Sequence, residues 1–457
     1  MSAPVISIII LAVMFLIATL LPVNMGALAF VGAFLLGAVF LGMETTDILA
    51  NFPGGLFLTL VGVTYLFAIA QGNGTIDLLV RGAVRLVGGR VALIPWVMFV
   101  ITAVITAVGA LSPAAVAIVA PIALGFARKY KISPLLMGMM VIHGAQGGGF
   151  SPIAVYGVIV NSLISTTGLD ASPTAVFLSS LIFNFLIAVV LFIVLGGRKL
   201  MSSRVGHFVE QAAEARMAVS VGARAAGDGD VAFKGFGSGI YGPRDPAGDG
   251  MQATVTRGER IPQLVTVAGL IALAVIALGF KVDVGFVAIT IAVILALVSP
   301  EAQKGAVNKI SWSTVLLICG MLTFVGVLEE AGTIEYVSGA VANLGMPLLA
   351  ALLICYIGAV VSAFASSTAI LAALIPLAVP FLATGDISAI GVICALAVAS
   401  TIVDVSPFST NGALVLANAP DDVDKDRFYK QILSYSGIVV VAGPAIAWAV
   451  LVLPGWL

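Results

Sequence analysis

Few side chains in this sequence can do chemistry, and those that can fall into two clusters set in apolar surroundings. The richer one holds Ser366-Ser367-Thr368, then Asp404, Ser406 and Ser409-Thr410-Asn411. The other holds Ser112-Pro113, then His143, Gln146, Gly147, Gly149 and Ser151. Hydroxyls and amides supply neutral, directional hydrogen bonds, and an isolated carboxylate supplies a cation ligand or proton carrier. Asp404 is the one acidic residue deep in an apolar run. At the centre of a membrane an Asp costs about 2.5–3.5 kcal/mol on insertion scales and is functional by default. His143 is the one histidine in such a run and could donate to a carboxylate or relay protons. No Lys or Arg falls in either cluster.

The clusters are copies. Moving back 255 positions places Ser367 on Ser112, Pro376 on Pro121, Ser406 on Ser151, Pro407 on Pro152 and Gly412 on Gly157. Asp404 lands on Gly149, so the two half-sites are chemically unequal. The repeat extends outward: Gly74-Thr75-Ile76-Asp77 recurs as Gly332-Thr333-Ile334-Glu335, and Gly82-Ala83-Val84 as Gly339-Ala340-Val341. Asn24-Met25-Gly26 has a weaker counterpart in Asp283-Val284-Gly285. The offset drifts from 259 to 255 along the chain, as small loop deletions would produce.

The elements that carry these clusters must cross a bilayer. The chain has 457 residues, 61% apolar and 9% charged, with mean hydropathy +1.18. Soluble domains carry about 25% charged residues, so this is an integral membrane protein. The N-terminus has no basic segment before its apolar run, which reads as a first span rather than a cleaved signal. Spans are expected at about 5–21, 25–41 and 56–70, followed by an interfacial amphipathic helix, Gly72 to Arg90. A re-entrant hairpin at about 91–127 turns at Leu111-Ser112-Pro113. A span at about 134–165 is broken at Gly147-Gly148-Gly149, and a fifth runs about 175–197. The second half repeats the order: spans at about 263–280, 284–298 and 312–328, a hairpin at 346–382, a broken span at 389–418 and a last span at 431–453.

Residues 198–260 join the halves and read as a flexible cytoplasmic connector, rich in Gly and charge. Its Gly-Asp-Gly-Asp lacks the spacing of a cation loop. Cys319, Cys355 and Cys394 show no metal-type spacing and read as small buried apolar groups. With the connector inside, 20 of the 21 Lys and Arg fall on the inner side, Lys281 alone lying outside. Five crossings per half then put both termini outside the cytoplasm and invert one half relative to the other. Inverted repeats with broken helices are a common plan of secondary transporters, whose site lies near the midplane.

Broken backbone at membrane depth must line a cavity or face protein. Half-helix N-termini offer N–H groups to an anion; C-termini and unwound carbonyls offer oxygen to a cation. A cation about 4 Å from an anionic substrate contributes roughly 4 kcal/mol at an effective dielectric near 20, which favours cation symport of a dianion. A neutral solute also fits. A net charge of −1 points to no nucleic acid. There is no Gly-x-Ser-x-Gly and no His-Glu-x-x-His, and one membrane Asp rather than a pair, which argues against an enzyme. A channel built on the same hairpins is the other class left open.

At these residues the chain resembles the ion-transporter superfamily, and within it the divalent anion:sodium symporters and MatC-type dicarboxylate (malonate) carriers. The superfamily pattern is a hairpin-tip Ser-Asn-Thr, a Pro ten positions after that Ser, and later a Thr-Pro-Pro-like break. Ser366-Ser367-Thr368 with Pro376 follows it with Ser for Asn; Leu111-Ser112-Pro113 with Pro121 keeps only the central hydroxyl. The loops read Ser151-Pro152-Ile153 and Ser406-Pro407-Phe408, and His143 to Gly157 is most like MatC-type carriers. The resemblance implies an all-α polytopic protein of two inverted five-span repeats in the bacterial inner membrane, a homodimer with an elevator-type cycle and no cofactor. The first repeat would be 1–200, with scaffold 1–90 and transport part 91–197; the second would be 261–457, with scaffold 261–345 and transport part 346–457. It further implies import of malonate- or succinate-like dicarboxylates with sodium. On this reading Ser112, Pro113, His143, Gln146, Ser366, Ser367, Thr368, Ser409, Thr410 and Asn411 face substrate, while Gly147, Gly149, Ser151, Asp404 and Ser406 face the coupling ion. Asp404 and His143 leave proton coupling open, and a citrate-, gluconate- or arsenite-type substrate is the alternative.

Overall fold

In the computed structural model the polar breaks stop the helices where the sequence says they must. The structure describes residues 2–21, 23–76, 78–79, 82, 90–165, 172–201, 257–280, 282–333, 336–337, 346–363, 367–382, 387–420 and 423–455. The connector is therefore almost wholly outside the described residues, as are most of the amphipathic segment before Arg90, Ser366, and most of the second copies of the outlying motifs. All regular structure among the described residues is helical.

The first half comprises α1 (Ala3–Leu20), α2 (Met25–Phe34, continued by a π-helical stretch to Leu41), α3 (Gly54–Gly72), α4 (Ile94–Ala107), α5 (Ser112–Lys129), α6 (Pro134–Gly148), α7 (Val155–Ser165) and α8 (Pro173–Val194). The second comprises α9 (Arg257–Gly279), α10 (Val284–Val298), α11 (Trp312–Glu330), α12 (Pro347–Ser362), α13 (Ser367–Leu382), α14 (Ala389–Ile402), α15 (Thr410–Ala417) and α16 (Lys425–Leu451). Five of these are long and apolar enough to cross a membrane, and all the others except α6 and α15 contain shorter apolar helical stretches. The breaks fall at 149–154 and 403–409, so the first lies just beyond the glycine run and puts Ser151-Pro152 inside it.

The repeat is written into the helix starts. Asn24 caps α2 through Oδ1 to the Gly26 and Ala27 N–H groups, and Asp283 caps α10 through Oδ1 to the Phe286 N–H. Ser133 and Ser388, 255 apart, cap α6 and α14 through the Leu136 and Gly391 N–H groups. Each cap satisfies an orphan donor and is worth about 1 kcal/mol, which is why Asn and Asp interchange at a position that otherwise looks unrelated.

Close helix crossings carry the same symmetry. A Cβ on Gly320 would sit 2.0 Å from the Gly26 carbonyl oxygen, and one on Gly62 would sit 2.8 Å from that of Gly285. Small residues let α2 meet α11 and α10 meet α3 at backbone contact, the packing that substitutes for a hydrophobic drive inside lipid. A second set packs α6 against α4, α5 and α8, and α14 against α12, α13 and α16. Here the halves interlock: α5 packs on α15, α7 on α13, and α8 on α14. Contacts of α11 with α13 and of α3 with α7 join the two sets.

Candidate functional site

Both hairpin tips and both breaks meet across the interlocked halves. Ser112 opens α5 and accepts a 2.8 Å hydrogen bond from Asn411 Nδ2, which also donates to Asp404 Oδ2 at 2.8 Å. One amide thus ties the first tip to the second break. On the mirror side α7 packs on α13, and Tyr156 of the first break and Thr368 of the second tip line one cavity. Tyr156 and Asn411 are 255 positions apart, as are Ser112 and Ser367, the residue before Thr368, so the two approaches correspond through the repeat to within one position.

The breaks themselves are held the same way. The Ser151 N–H donates to the Gly148 carbonyl at 3.1 Å and the Ala154 N–H to the Ser151 carbonyl at 2.9 Å. Ser406 and Ser409 repeat both bonds, at 3.1 and 3.0 Å, to Val403 and Ser406. Gly157 and Gly412 start the returning helices so close to these turns that a Cβ would lie 2.0 Å from the Ser151 or Ser406 carbonyl oxygen. Ser409 caps α15, with Oγ 2.7 Å from the Ser406 carbonyl and 3.5 Å from the Gly412 N–H. Where the second half has Asp404 against Asn411, the first has Gly149 under Tyr156, with a built Cβ 3.0 Å from the ring. The ring occupies the volume that the missing side chain leaves.

Asp404 accepts from the side-chain amide of Asn411, a first-turn residue of α15, and so sits at the N-terminus of that helix. A carboxylate there is favoured by the helix dipole. That helix end is therefore already matched by the chain's own charge. Leu111 offers the N-terminus of α5 no side-chain cap; Ser112 and Pro113 stand in its first turn, as Ser367 does in that of α13.

These ends face a cavity of about 540 Å³. Leu111, Pro113, Ser367, Thr368, Tyr156, Asp404 and Thr410 line its deep part; Asn24, Thr64, Gln71, Ser311, Ser313, Thr314 and Lys309 line the part where α1 and α3 end and α2 and α11 begin. Asn24 Nδ2 donates to the Ser313 carbonyl and hydroxyl at 3.0 and 2.9 Å, tying two of those helix starts together. The volume lies in the 300–1,000 Å³ range of small-ligand sites. Its polar groups are mostly donors and hydroxyls, suited to a small polar or anionic solute. Among the described residues no group of His, Cys, Asp and Glu is arranged to hold a metal ion by such side chains alone.

The remaining residues singled out from sequence lie elsewhere. His143 is fully buried off the cavity wall, with Nδ1 2.8 Å from Asn184 Oδ1 and Nε2 2.6 Å from the Tyr435 hydroxyl. Asn184 donates its own amide to the Ser180 carbonyl, so Nδ1 is the protonated nitrogen and Nε2 accepts from Tyr435. Gln146 is buried, and neither its Oε1 nor its Nε2 finds a protein partner. Gly147 packs toward Leu181 and Asn184 of α8. Ser366 lies outside the described residues. Tyr156 was legible through the repeat, as the counterpart of Asn411. Lys309 was not: in sequence it is one more basic residue of an inner loop.

An all-helical bundle with apolar spans and a polar cavity at the meeting of broken helices is the architecture of a polytopic membrane transporter. Residues 1–149 match the family described as the dicarboxylate carrier protein MatC N-terminus. Among solved structures the chain is similar to the crystal structure of the YdaH transporter of Alcanivorax borkumensis, at 16% identity and TM-score 0.54, over 88% of this chain and 87% of that one. At that identity the likeness is one of fold. No curated protein matches the chain.

Proposed function

We propose that this protein is a secondary active importer of small dicarboxylates, malonate- or succinate-like, working by sodium symport with elevator-type alternating access. The observation that carries the reading is that both hairpin tips and Asp404 reach one 540 Å³ cavity, in a chain whose first 149 residues match a dicarboxylate carrier family. Ser112, Pro113, Ser367 and Thr368 at the starts of α5 and α13 offer hydroxyls and positive helix ends to the carboxylates. Asp404, with the carbonyls of the Ser406 turn, supplies oxygen to a cation, and Ser151 the equivalent in the other half.

The two packing sets support a division into scaffold (1–90 and 261–345) and transport parts (91–197 and 346–457), in halves that we take as inverted repeats. In an elevator cycle the α3–α10 and α2–α11 crossings stay fixed while the α3–α7 and α11–α13 contacts slide.

 The cavity reaches the ends of α1 and α3 and the starts of α2 and α11, the side of the connector. With the connector in the cytoplasm, the conformation is inward-facing. We further propose a homodimer assembled through scaffold spans in the bacterial inner membrane.

The test is uptake of labelled malonate or succinate into proteoliposomes. Uptake rises with an inward sodium gradient and saturates with substrate. Equal uptake with and without sodium at fixed pH would rule out sodium coupling, and unsaturable conductive flux would point to a channel. The second reading, proton coupling of the same fold, is favoured by one observation: among the described residues Asp404 is the only acidic one lining the cavity. Uptake driven by a pH gradient alone, and lost in Asp404→Asn, would establish it. A citrate-, gluconate- or arsenite-type solute is tested by competition in the same assay.

A further inference from the structure

Among the described residues two charged side chains line the cavity, Asp404 beside the hairpin tips and Lys309 just before α11. Lys309 ends a short 3-10 turn, Val307–Lys309, between α10 and α11. The turn is pinned by Trp312, whose Nε1 donates to the Val307 carbonyl at 3.1 Å, and by the Lys309 N–H, which donates to the Ala306 carbonyl at 3.0 Å. Its neighbour Lys304 is engaged, 2.8 Å from Glu301. Lys309 makes no ion pair among the described residues, and Ser311, Ser313 and Thr314 line the same cavity. In the first half, 258 positions earlier, stands Asn51, which donates to the Asp47 carbonyl and carries no charge. The cation is thus present on one side of the repeat only, the side to which the cavity extends.

We propose that Lys309 is a specificity-determining residue that receives one carboxylate of the transported dianion on the scaffold wall of the cavity. The proposal rests on the dicarboxylate reading above. Asp404 repels an entering dianion, and an ammonium on a flexible four-carbon stem offsets that repulsion and can follow a carboxylate along the wall. The hydroxyls beside it complete the hydration that the anion gives up.

The experiment is malonate binding to the purified full-length protein in detergent by calorimetry, at low and high ionic strength. Lys309→Gln weakens binding about fivefold at low salt, the gap narrows at high salt, and Lys309→Arg stays within about twofold of the parent. Sodium-induced thermal stabilisation is the same in all three proteins, which a merely structural role would not preserve. An unchanged malonate Kd in Lys309→Gln overturns the proposal, as does an equal loss in Lys309→Arg. An effect seen only in nanodiscs of anionic lipid, and not in detergent, assigns Lys309 to lipid headgroups and also overturns it. If the parent protein binds none of malonate, succinate or citrate, the dicarboxylate reading itself falls, an outcome separable from a failure of Lys309 alone.

Discussion

Asn411 is the residue through which the first hairpin tip and the second break are tied, and its removal has a calculable cost. Its Nδ2 group spends one proton on Ser112 Oγ and the other on Asp404 Oδ2, both at 2.8 Å, and both partners are buried. Loss of the neutral bond costs about 1 kcal/mol, and loss of the bond to the carboxylate about 1.5–3 kcal/mol. Asn411→Ala should therefore destabilise the protein by about 2.5–4 kcal/mol, whereas Ser112→Ala, which leaves the carboxylate bond intact, should cost about 1 kcal/mol. The assay is equilibrium unfolding of detergent-purified protein for the two single variants and the double variant. Because the amide and the hydroxyl share one bond, the double-variant cycle should show a coupling energy of about 0.5–1.5 kcal/mol. Strict additivity, or a cost for Asn411→Ala no larger than for Ser112→Ala, would refute the geometry at its centre.

Other consequences follow from the same contacts. Gly412→Ala and Gly157→Ala place a Cβ 2.0 Å from a carbonyl oxygen of the adjoining turn, whereas Gly437 has nothing within 4 Å. Both should cost upward of about 1–3 kcal/mol and abolish ligand-induced thermal stabilisation, while Gly437→Ala leaves melting unchanged. Tyr156→Phe keeps the ring over Gly149 and removes only a hydroxyl from the cavity wall beside Thr368, so it should lower substrate affinity without unfolding the protein. His143→Ala strips partners from Asn184 and Tyr435 and should lower thermal stability while leaving the ion dependence of uptake as it was; a changed ion dependence would bring His143 into the coupling site. Asp404→Asn should alter ion dependence more than folding, since an amide can still accept from Asn411; unchanged ion dependence removes Asp404 from the site.

Much of this was legible in the sequence because a membrane simplifies the rules. Lipid cannot satisfy backbone polar groups, so each Ser-Pro or Gly-rich interruption in an apolar run marks a helix end. Ser112, Ser151, Ser367 and Ser406 fall at or within the ends of helices for that reason. The 255-residue offset identified which interruptions correspond, and the structure adds the caps Ser133 and Ser388 at the same offset. What no periodicity could supply is which half each tip touches. Ser112 meets Asn411, and Thr368 lines one cavity with Tyr156, because the halves interlock and bring together residues far apart in sequence. The same packing turned His143 away from the cavity into a bonded pair with Asn184 and Tyr435, and brought Lys309 to the cavity wall. Sequence alone determined where the helices break and how the halves correspond, since both follow from local polarity against lipid. Only the tertiary structure decided which side chains share the cavity, because that depends on how two helix sets close around it.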